Sequence, residues 1–98
     1  MIVEIAIIRA KPGQADAMRQ GFQAARAVIA QAKGYRGSVF HQGIEDPQRF
    51  LLRIEWDSVE DHMQGFREGP LFAQWRGHFG QYIDGAPDVS HFEVIAGP

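Results

Sequence analysis

Hydrophobic residues in the first half of the chain follow two different periods. Residues 2–9 are mostly β-branched and alternate between two faces, which predicts a first strand. From residue 14 to 33 the apolar positions recur every three or four residues, as on one side of an amphipathic helix that Gly34 would end. Residues 35–42 and 49–56 predict two further strands, joined by a turn that contains an Asp-Pro pair.

The second half of the chain repeats the order of helix and strand. Residues 57–60, Asp-Ser-Val-Glu, are typical of a capped helix start. The helix that follows presents one apolar side, made of Val59, His62, Met63 and Phe66. A Gly-Pro pair at 69–70 breaks this helix and starts a second helical segment, and residues 89–95 predict the last strand. The order βαββαβ predicts one α+β domain over residues 1–98, a ferredoxin-like split βαβ subunit with a four-stranded antiparallel sheet and helices on one face.

The first strand is apolar on both of its faces. One face carries Val3, Ile5 and Ile7, and the other carries Ile2, Ala6 and Ile8 together with Glu4. A sheet that helices cover on one side only should alternate between apolar and polar residues, so a second cover is expected. A second copy of the chain is the simplest cover, and we expect a homodimer. Partial burial of these residues in a monomer is the alternative.

Composition narrows the classes of partner. The chain has no cysteine, which excludes thiolate nucleophiles and Cys-ligated metal sites. Its formal net charge is −2 and its ten Lys and Arg residues are scattered, so we expect no nucleic-acid partner. The first apolar run lacks a basic flank and contains Glu4, which does not fit a signal peptide. No stretch approaches the roughly 20 apolar residues of a membrane helix. We therefore expect a cytoplasmic protein with no membrane contact.

Histidines are the candidate catalytic side chains, because no nucleotide-binding, zinc-protease or serine-hydrolase motif occurs. His62 lies on the apolar side of its predicted helix, where it is either a proton acceptor or a hydrogen-bonded core residue. His91 shares a strand face with Glu93. A metal site built from His62, His78, His91 and Glu93 is conceivable, but no pair of them has a diagnostic spacing, so we expect no metal.

Aromatic residues are concentrated in the second half of the chain. Aromatic side chains at helical spacing usually pack in a core, and a surplus of them also suits a flat apolar ligand held between helix and sheet. Both interpretations remain open from the sequence. The set comprises Trp56, Phe66, Phe72, Trp75, Phe79, Tyr82 and Phe92.

Three segments carry a resemblance to a known family. They are residues 54–67, with the run Trp-Asp-Ser-x-Glu-Asp-His-x-x-Gly-Phe-Arg, residues 70–76, and His91-Phe92-Glu93. Together they resemble the antibiotic biosynthesis monooxygenase family. The resemblance implies a ferredoxin-like subunit that pairs into a dimeric α/β barrel, with a pocket between the helices and the sheet. It also implies the chemistry of characterised members, which oxidise aromatic polyketides or quinols with O2 and no cofactor, or degrade haem.

The function expected from this resemblance is a cofactor-independent monooxygenase acting on a small apolar aromatic or quinol ligand. The catalytic candidates are His62 and His91, and the candidate pocket walls are Trp56, Phe66 and Trp75. The best-known oxygenase of the family and its haem-degrading branch use an asparagine, and this chain has none. The alternative is a non-catalytic small-ligand or haem-binding domain that uses the same pocket.

Overall fold

The four predicted strands form one antiparallel sheet in the order β2-β3-β1-β4, so the first strand lies between the third and the fourth. This arrangement is seen in a computed structural model that describes all residues from 1 to 98. The strands are β1 (Ile2–Arg9), β2 (Tyr35–Gln42), β3 (Arg49–Trp56) and β4 (Asp88–Glu93). The helical elements are α1 (Ala15–Ile29), a π-helix (Asp61–Phe66), α2 (Pro70–Gly77) and a 3₁₀ turn (Gly80–Tyr82). The predicted ferredoxin-like α+β fold is confirmed.

All the helices cover the same face of the sheet, and the core lies beneath them. On that face Ala6 of β1 lies opposite Leu52 of β3, and Ile8 lies opposite Phe50. The buried side of α1, which includes Phe22, packs on these strands within one continuous hydrophobic cluster. Burying a side chain of this size stabilises the fold by about 1.5–3 kcal/mol. The core therefore fixes the helices over β1 and β3.

Two predicted elements are shorter in the structure. Helix α1 ends at Ile29 rather than near residue 33, because the next backbone hydrogen bonds span three residues instead of four. The chain then changes direction at Gly34, whose φ of 82° favours glycine. Strand β4 ends at Glu93 rather than at residue 95. Glu93 pairs with Ile2, the first residue of β1, so β1 offers no further partner.

The predicted helix after residue 57 forms with a different hydrogen-bond pattern. Ser58 caps it as expected, since its Oγ accepts the backbone N–H of Asp61 at 3.1 Å. Within the π-helix the N–H of Arg67 donates to the carbonyl of His62, five residues earlier, at 2.9 Å. Such wide turns are rare and are often found at functional sites. Val59 is 37% exposed, so the buried side of this segment narrows to His62 and Phe66.

The opposite face of the sheet has no helix over it. It carries Ile5 and Ile7 of β1, Leu51 of β3 and Val39 of β2, and Phe92 of β4 lies opposite Val3 in register. Phe92 is 53% exposed and Val39 is 49% exposed. An apolar face of this kind is typical of a surface that another protein covers. No helix of the structure is long and apolar enough to span a membrane.

Candidate active site

A buried carboxyl group lies at the centre of the helix-covered face. Glu4 is 4% exposed and is the third residue of β1, between Ile2 and Ala6 on the same face. The Nε1–H of Trp56 donates a hydrogen bond to Glu4 Oε1 at 3.0 Å. Burial raises the pKa of Glu4 to about 7, although the Trp56 hydrogen bond and the charge of Arg67 act in the opposite direction. The side chain can therefore gain or lose a proton near neutral pH.

The π-helix places His62 directly against this carboxyl group. His62 Nε2 lies 3.2 Å from Glu4 Oε1, and the imidazole ring stacks on Trp56 with centroids 5.3 Å apart. Burial, together with the neighbouring His91 and Arg67, lowers the pKa of His62 to about 4. Burial disfavours the charged form of both partners, so Glu4 and His62 meet as a neutral pair rather than an ion pair below pH 7.

His91 extends the contact to a third ionisable side chain. It lies directly opposite Glu4 in the β1–β4 register, and its Nε2 is 2.8 Å from His62 Nδ1. Trp56, Glu4, His62 and His91 thus form one continuous row of polar contacts, made of two hydrogen bonds and the 3.2 Å contact between His62 and Glu4, and drawn from three strands and the π-helix. Residues far apart in sequence meet here because β1 lies between β3 and β4.

A cavity of about 300 Å³ opens beside Glu4 and His62, between α2 and the sheet. Its walls are largely apolar and include Phe72, Trp75 and Phe79, with Arg67 and Arg76 as charged members of the lining. Trp75 Nε1 is buried and has no hydrogen-bond partner in the chain. A buried donor without a partner is unfavourable by about 1–3 kcal/mol, so an acceptor on a ligand would stabilise it.

A larger groove of about 490 Å³ lies between α1 and the edge strand β2. Its basic side chains are Arg19, Arg26 and His41, and all three are exposed. The smaller cavity has buried ionisable side chains that contact one another, and this groove has none. For this reason the smaller cavity is the candidate active site.

Comparison with known proteins settles the family. The family model for antibiotic biosynthesis monooxygenases matches residues 1–77. The chain belongs to the antibiotic biosynthesis monooxygenase family. A crystal structure assigned to the same family, from Bordetella bronchiseptica, is 35% identical, has a TM-score of 0.94, and is matched over 97% of each chain.

Two other relatives extend this picture of the monooxygenase family. The uncharacterised protein YczJ of Bacillus subtilis is 29% identical over 95 residues, covering 97% of this chain and 100% of YczJ. A structure of the same family from Nitrosomonas europaea has a TM-score of 0.81 at 16% identity, over 96% of this chain and 89% of that one, and shares the fold.

The structure of this family member brings some of the predicted site residues together and separates others. His62 and His91 are in contact, and Trp75 lines the cavity. Trp56 is 0% exposed and lies behind His62, while Phe66 packs between Trp56 and Trp75 with centroid distances of 5.5 and 5.4 Å. Neither Trp56 nor Phe66 lines the cavity, so both support its wall from behind.

Glu4 is the site residue that sequence reasoning missed. The sequence shows it as the one charged residue within the apolar run at 2–8, on the same strand face as Ile2, Ala6 and Ile8. A carboxylate in that position is rarely buried unless it is paired. The sequence therefore indicates that Glu4 needs a partner, but only the three-dimensional structure shows that the partner is His62. His78 and Glu93, the other members of the conceivable metal set, are both exposed.

Proposed function

We propose that this chain is a cofactor-independent monooxygenase for a small planar aromatic or quinol substrate. The observation that carries the proposal is the buried pair of Glu4 and His62, in contact at 3.2 Å beside an apolar cavity. Membership of the family supports a monooxygenase-like activity. A phenol or an activated aromatic methylene becomes electron-rich enough to react with O2 once it has lost a proton, so the protein has to supply desolvation, orientation and a base.

Glu4 is the stronger candidate for the base, and His62 holds it in place. A general base works best when its pKa lies near the operating pH. Glu4 has a pKa of about 7, whereas that of His62 is about 4, which makes the imidazole a weak proton acceptor. Glu4 Oε2 makes no hydrogen bond within the chain and is not among the fully buried polar atoms, so it is the oxygen available to a ligand in the cavity.

The reaction can be written with balanced atoms and electrons for a methylene flanked by aromatic rings. The Glu4 carboxylate removes one C–H proton, and the carbanion gives electrons to O2 and combines with it as a peroxide anion, which takes the proton back from Glu4 and becomes a hydroperoxide. Loss of the second C–H proton to Glu4 breaks the O–O bond, expels hydroxide and leaves a C=O group. The hydroxide takes up this second proton and becomes water. One oxygen atom enters the product, the other enters water, and the substrate supplies all four electrons.

The cavity favours a ligand of limited size that carries an oxygen acceptor. A volume of about 300 Å³ lies at the lower end of the range for small-molecule sites and suits a few fused rings. The unpartnered Nε1–H of Trp75 would donate to a carbonyl or phenolate oxygen. Arg67 and Arg76 in the lining would stabilise the negative charge that develops when the substrate loses its proton.

Non-catalytic binding of a small ligand is the second candidate function, because the unpartnered Trp75 N–H favours a bound acceptor whether or not a reaction follows. Haem fits less well. Both ring nitrogens of His62 are engaged, with Glu4 and with His91, so axial ligation would break one of these contacts. A four-ring macrocycle would also need a wider cavity than the one present.

Oxygen-electrode measurements with anthrone and a panel of quinols test the proposal. Oxygen uptake without added flavin or metal is the expected result, and Glu4→Gln should depress it roughly 10²–10⁴-fold. Glu45→Gln is the matched control, because Glu45 is exposed in the turn between β2 and β3. Absence of uptake across the panel, together with saturable binding of the same compounds, would favour the non-catalytic alternative.

We also propose that the working form is a homodimer joined through the open sheet face. Ile5, Ile7, Leu51 and Phe92 on that face support this, since a second copy would bury them by symmetry. Sedimentation equilibrium measures the assembly directly. A monomer at micromolar concentration would contradict the proposal without affecting the one for the active site.

A further inference from the structure

The site contains one ionisable side chain that does not line the cavity but touches one that does. His91 is absent from the cavity wall, and its Nε2 is 2.8 Å from His62 Nδ1. Unlike Glu4 and His62, His91 is only half-buried. Its Nδ1 makes no hydrogen bond within the chain and is not among the fully buried polar atoms, so it is open to solvent. His91 therefore connects the interior of the site with the outside.

We propose that Glu4, His62 and His91 form a proton relay through which the cavity exchanges protons with solvent while a ligand fills it. The proposal rests on the proposed function in taking Glu4 as the proton acceptor. It assigns His91, which touches no substrate, the role of a relay residue that acts through His62.

The two protonation states of the relay each satisfy every contact. When Glu4 is ionised, the Nε2–H of His62 points to Glu4 Oε1, and His62 Nδ1 accepts a hydrogen bond from the Nε2–H of His91. When Glu4 is protonated, the carboxyl O–H donates to His62 Nε2, and His62 Nδ1–H donates to His91 Nε2. Both imidazoles are neutral in both states, so the buried site never holds an imidazolium, which its desolvation would disfavour.

Outward passage of one proton balances when both imidazoles start as the Nδ1–H tautomers. The ionised Glu4 takes up the substrate proton at Oε2, and a half-turn of the carboxyl group brings it to the His62 side. It moves to His62 Nε2 as the proton on Nδ1 moves to His91 Nε2, and the proton on His91 Nδ1 leaves to water. Glu4 is then ionised and both imidazoles are Nε2–H tautomers, until a proton from water runs the reverse sequence, reprotonates Glu4 and is returned to the substrate. While the proton is outside, the cavity holds the negative charges of Glu4 and of the substrate anion, beside the cations of Arg67 and Arg76.

The charged neighbours favour this direction of transfer. Arg67, at the end of the π-helix, and Arg76, on α2, line the cavity and disfavour an additional positive charge inside it. The contact from β3 is the uncharged Trp56. On β4, the exposed Glu93 lies two residues beyond His91 on the same strand face, where it would stabilise a proton at the outer end.

The experiment is proton exchange without turnover. Anthrone is incubated anaerobically with the protein in D2O, and deuterium entering its methylene group is followed by mass spectrometry. Without O2 the base can only remove a proton and return it. With a working relay the returned particle is a deuteron. We expect His91→Gln, which keeps a hydrogen bond to His62 but cannot pass a proton on, to slow this exchange at least about tenfold.

His91→Ala with added imidazole separates relay from packing, because the half-buried position can admit a small base from solvent. We expect imidazole to restore the exchange in this variant, and we expect no effect of His78→Gln, since His78 is exposed and outside the site. Exchange at the wild-type rate in His91→Gln, or failure of imidazole to restore it, would overturn the relay.

A second measurement needs no substrate and separates this proposal from the proposed function. Nitrogen chemical shifts of ¹⁵N-labelled histidine should show His62 changing from the Nδ1–H to the Nε2–H tautomer as Glu4 ionises, and Glu4→Gln should abolish the change. A His62 tautomer that stays constant across the Glu4 titration would refute the relay. If the tautomer switches as expected but anthrone never exchanges even in the wild type, the proposed function fails while the relay stands.

Discussion

Replacing Glu4 with glutamine should make the protein more stable and less active at the same time. Glutamine keeps a carbonyl oxygen for the Nε1–H of Trp56 but cannot ionise. In the wild type, ionising Glu4 above neutral pH places a charge among apolar side chains, so the folded state is destabilised there. The substitution removes that penalty together with the proposed base. A gain in stability coupled to a loss of turnover is typical of a residue retained for function.

The magnitude follows from the two pKa values at the site. A tenfold change in an acid constant is worth about 1.4 kcal/mol. The pKa of Glu4 rises from 4.5 to about 7, so the ionised carboxylate lowers the free energy of unfolding by about 3 kcal/mol above pH 7. This loss of stability is absent below pH 4.5 and grows as pH rises towards 7, because between these pH values Glu4 holds its proton in the folded state but not in the unfolded state.

His62 lowers the free energy of unfolding by a similar amount, with the opposite dependence on pH. Its pKa falls from 6.5 to about 4, so in that range only the unfolded state binds the proton, and stability is lost as pH falls from 6.5 to 4. Between pH 4.5 and 6.5 one penalty grows as the other shrinks, so the joint Glu4 and His62 contribution to the stability of the wild type does not change with pH. Glu4→Gln exposes the His62 term alone, so its stability should fall towards acid pH.

Urea unfolding followed by circular dichroism, at fixed protein concentration from pH 4.5 to 8.5, measures these differences. We expect Glu4→Gln to exceed the wild type by about 3 kcal/mol at pH 8 and to match it near pH 4.5. Glu45→Gln, at an exposed position, controls for the loss of a carboxylate as such. A variant less stable than the wild type at pH 8, or a difference that does not vary with pH, would refute the reasoning.

Three further predictions concern the same site and the open sheet face. His62→Gln should reduce oxygen uptake at least about tenfold while preserving the oligomeric state. The free energy of unfolding of this variant should decline from pH 4.5 to 7, because the ionisation of Glu4 is no longer balanced by that of His62. Full activity in this variant would remove His62 from the mechanism. Trp75→Phe removes the unpartnered N–H, so we expect unchanged or higher stability. Binding of anthrone, measured by calorimetry, should be roughly tenfold weaker. An unchanged affinity would show that this donor binds no ligand. Dilution should lower the urea midpoint of the wild type, and Phe92→Glu should abolish that concentration dependence, whereas a midpoint independent of concentration would argue against dimerisation.

Most of the fold was predictable because its signals are local. The bounds of β1, β2 and β3 follow from runs of β-branched and aromatic residues between turn-forming residues. The end of β4 was not predictable, because Val94 and Ile95 have strand-like side chains and lack only a pairing partner. Pairing depends on where β1 begins, which is a property of the sheet and not of the β4 sequence.

The site was predictable only in part for a related reason. The apolar side of the segment after residue 57 indicated that His62 would be buried, and family resemblance drew attention to His91. The contacts of His62 with Glu4 and with His91 join residues 58 and 29 positions apart, and no spacing rule covers them. The π-helical turn was likewise not predictable, because the sequence of that segment is compatible with ordinary α-helical bonding.

The π-helix has a consequence for how this protein could diversify. A turn closed over five residues instead of four holds one residue more than an α-helix needs, so deleting a residue between His62 and Phe66 would restore ordinary helical bonding without moving the ends of the segment far. The side chains on one side of the deletion would rotate by about 100° relative to those on the other. A single codon lost there would turn Phe66 and Arg67 relative to His62, and so alter the lining of the cavity while leaving the sheet intact.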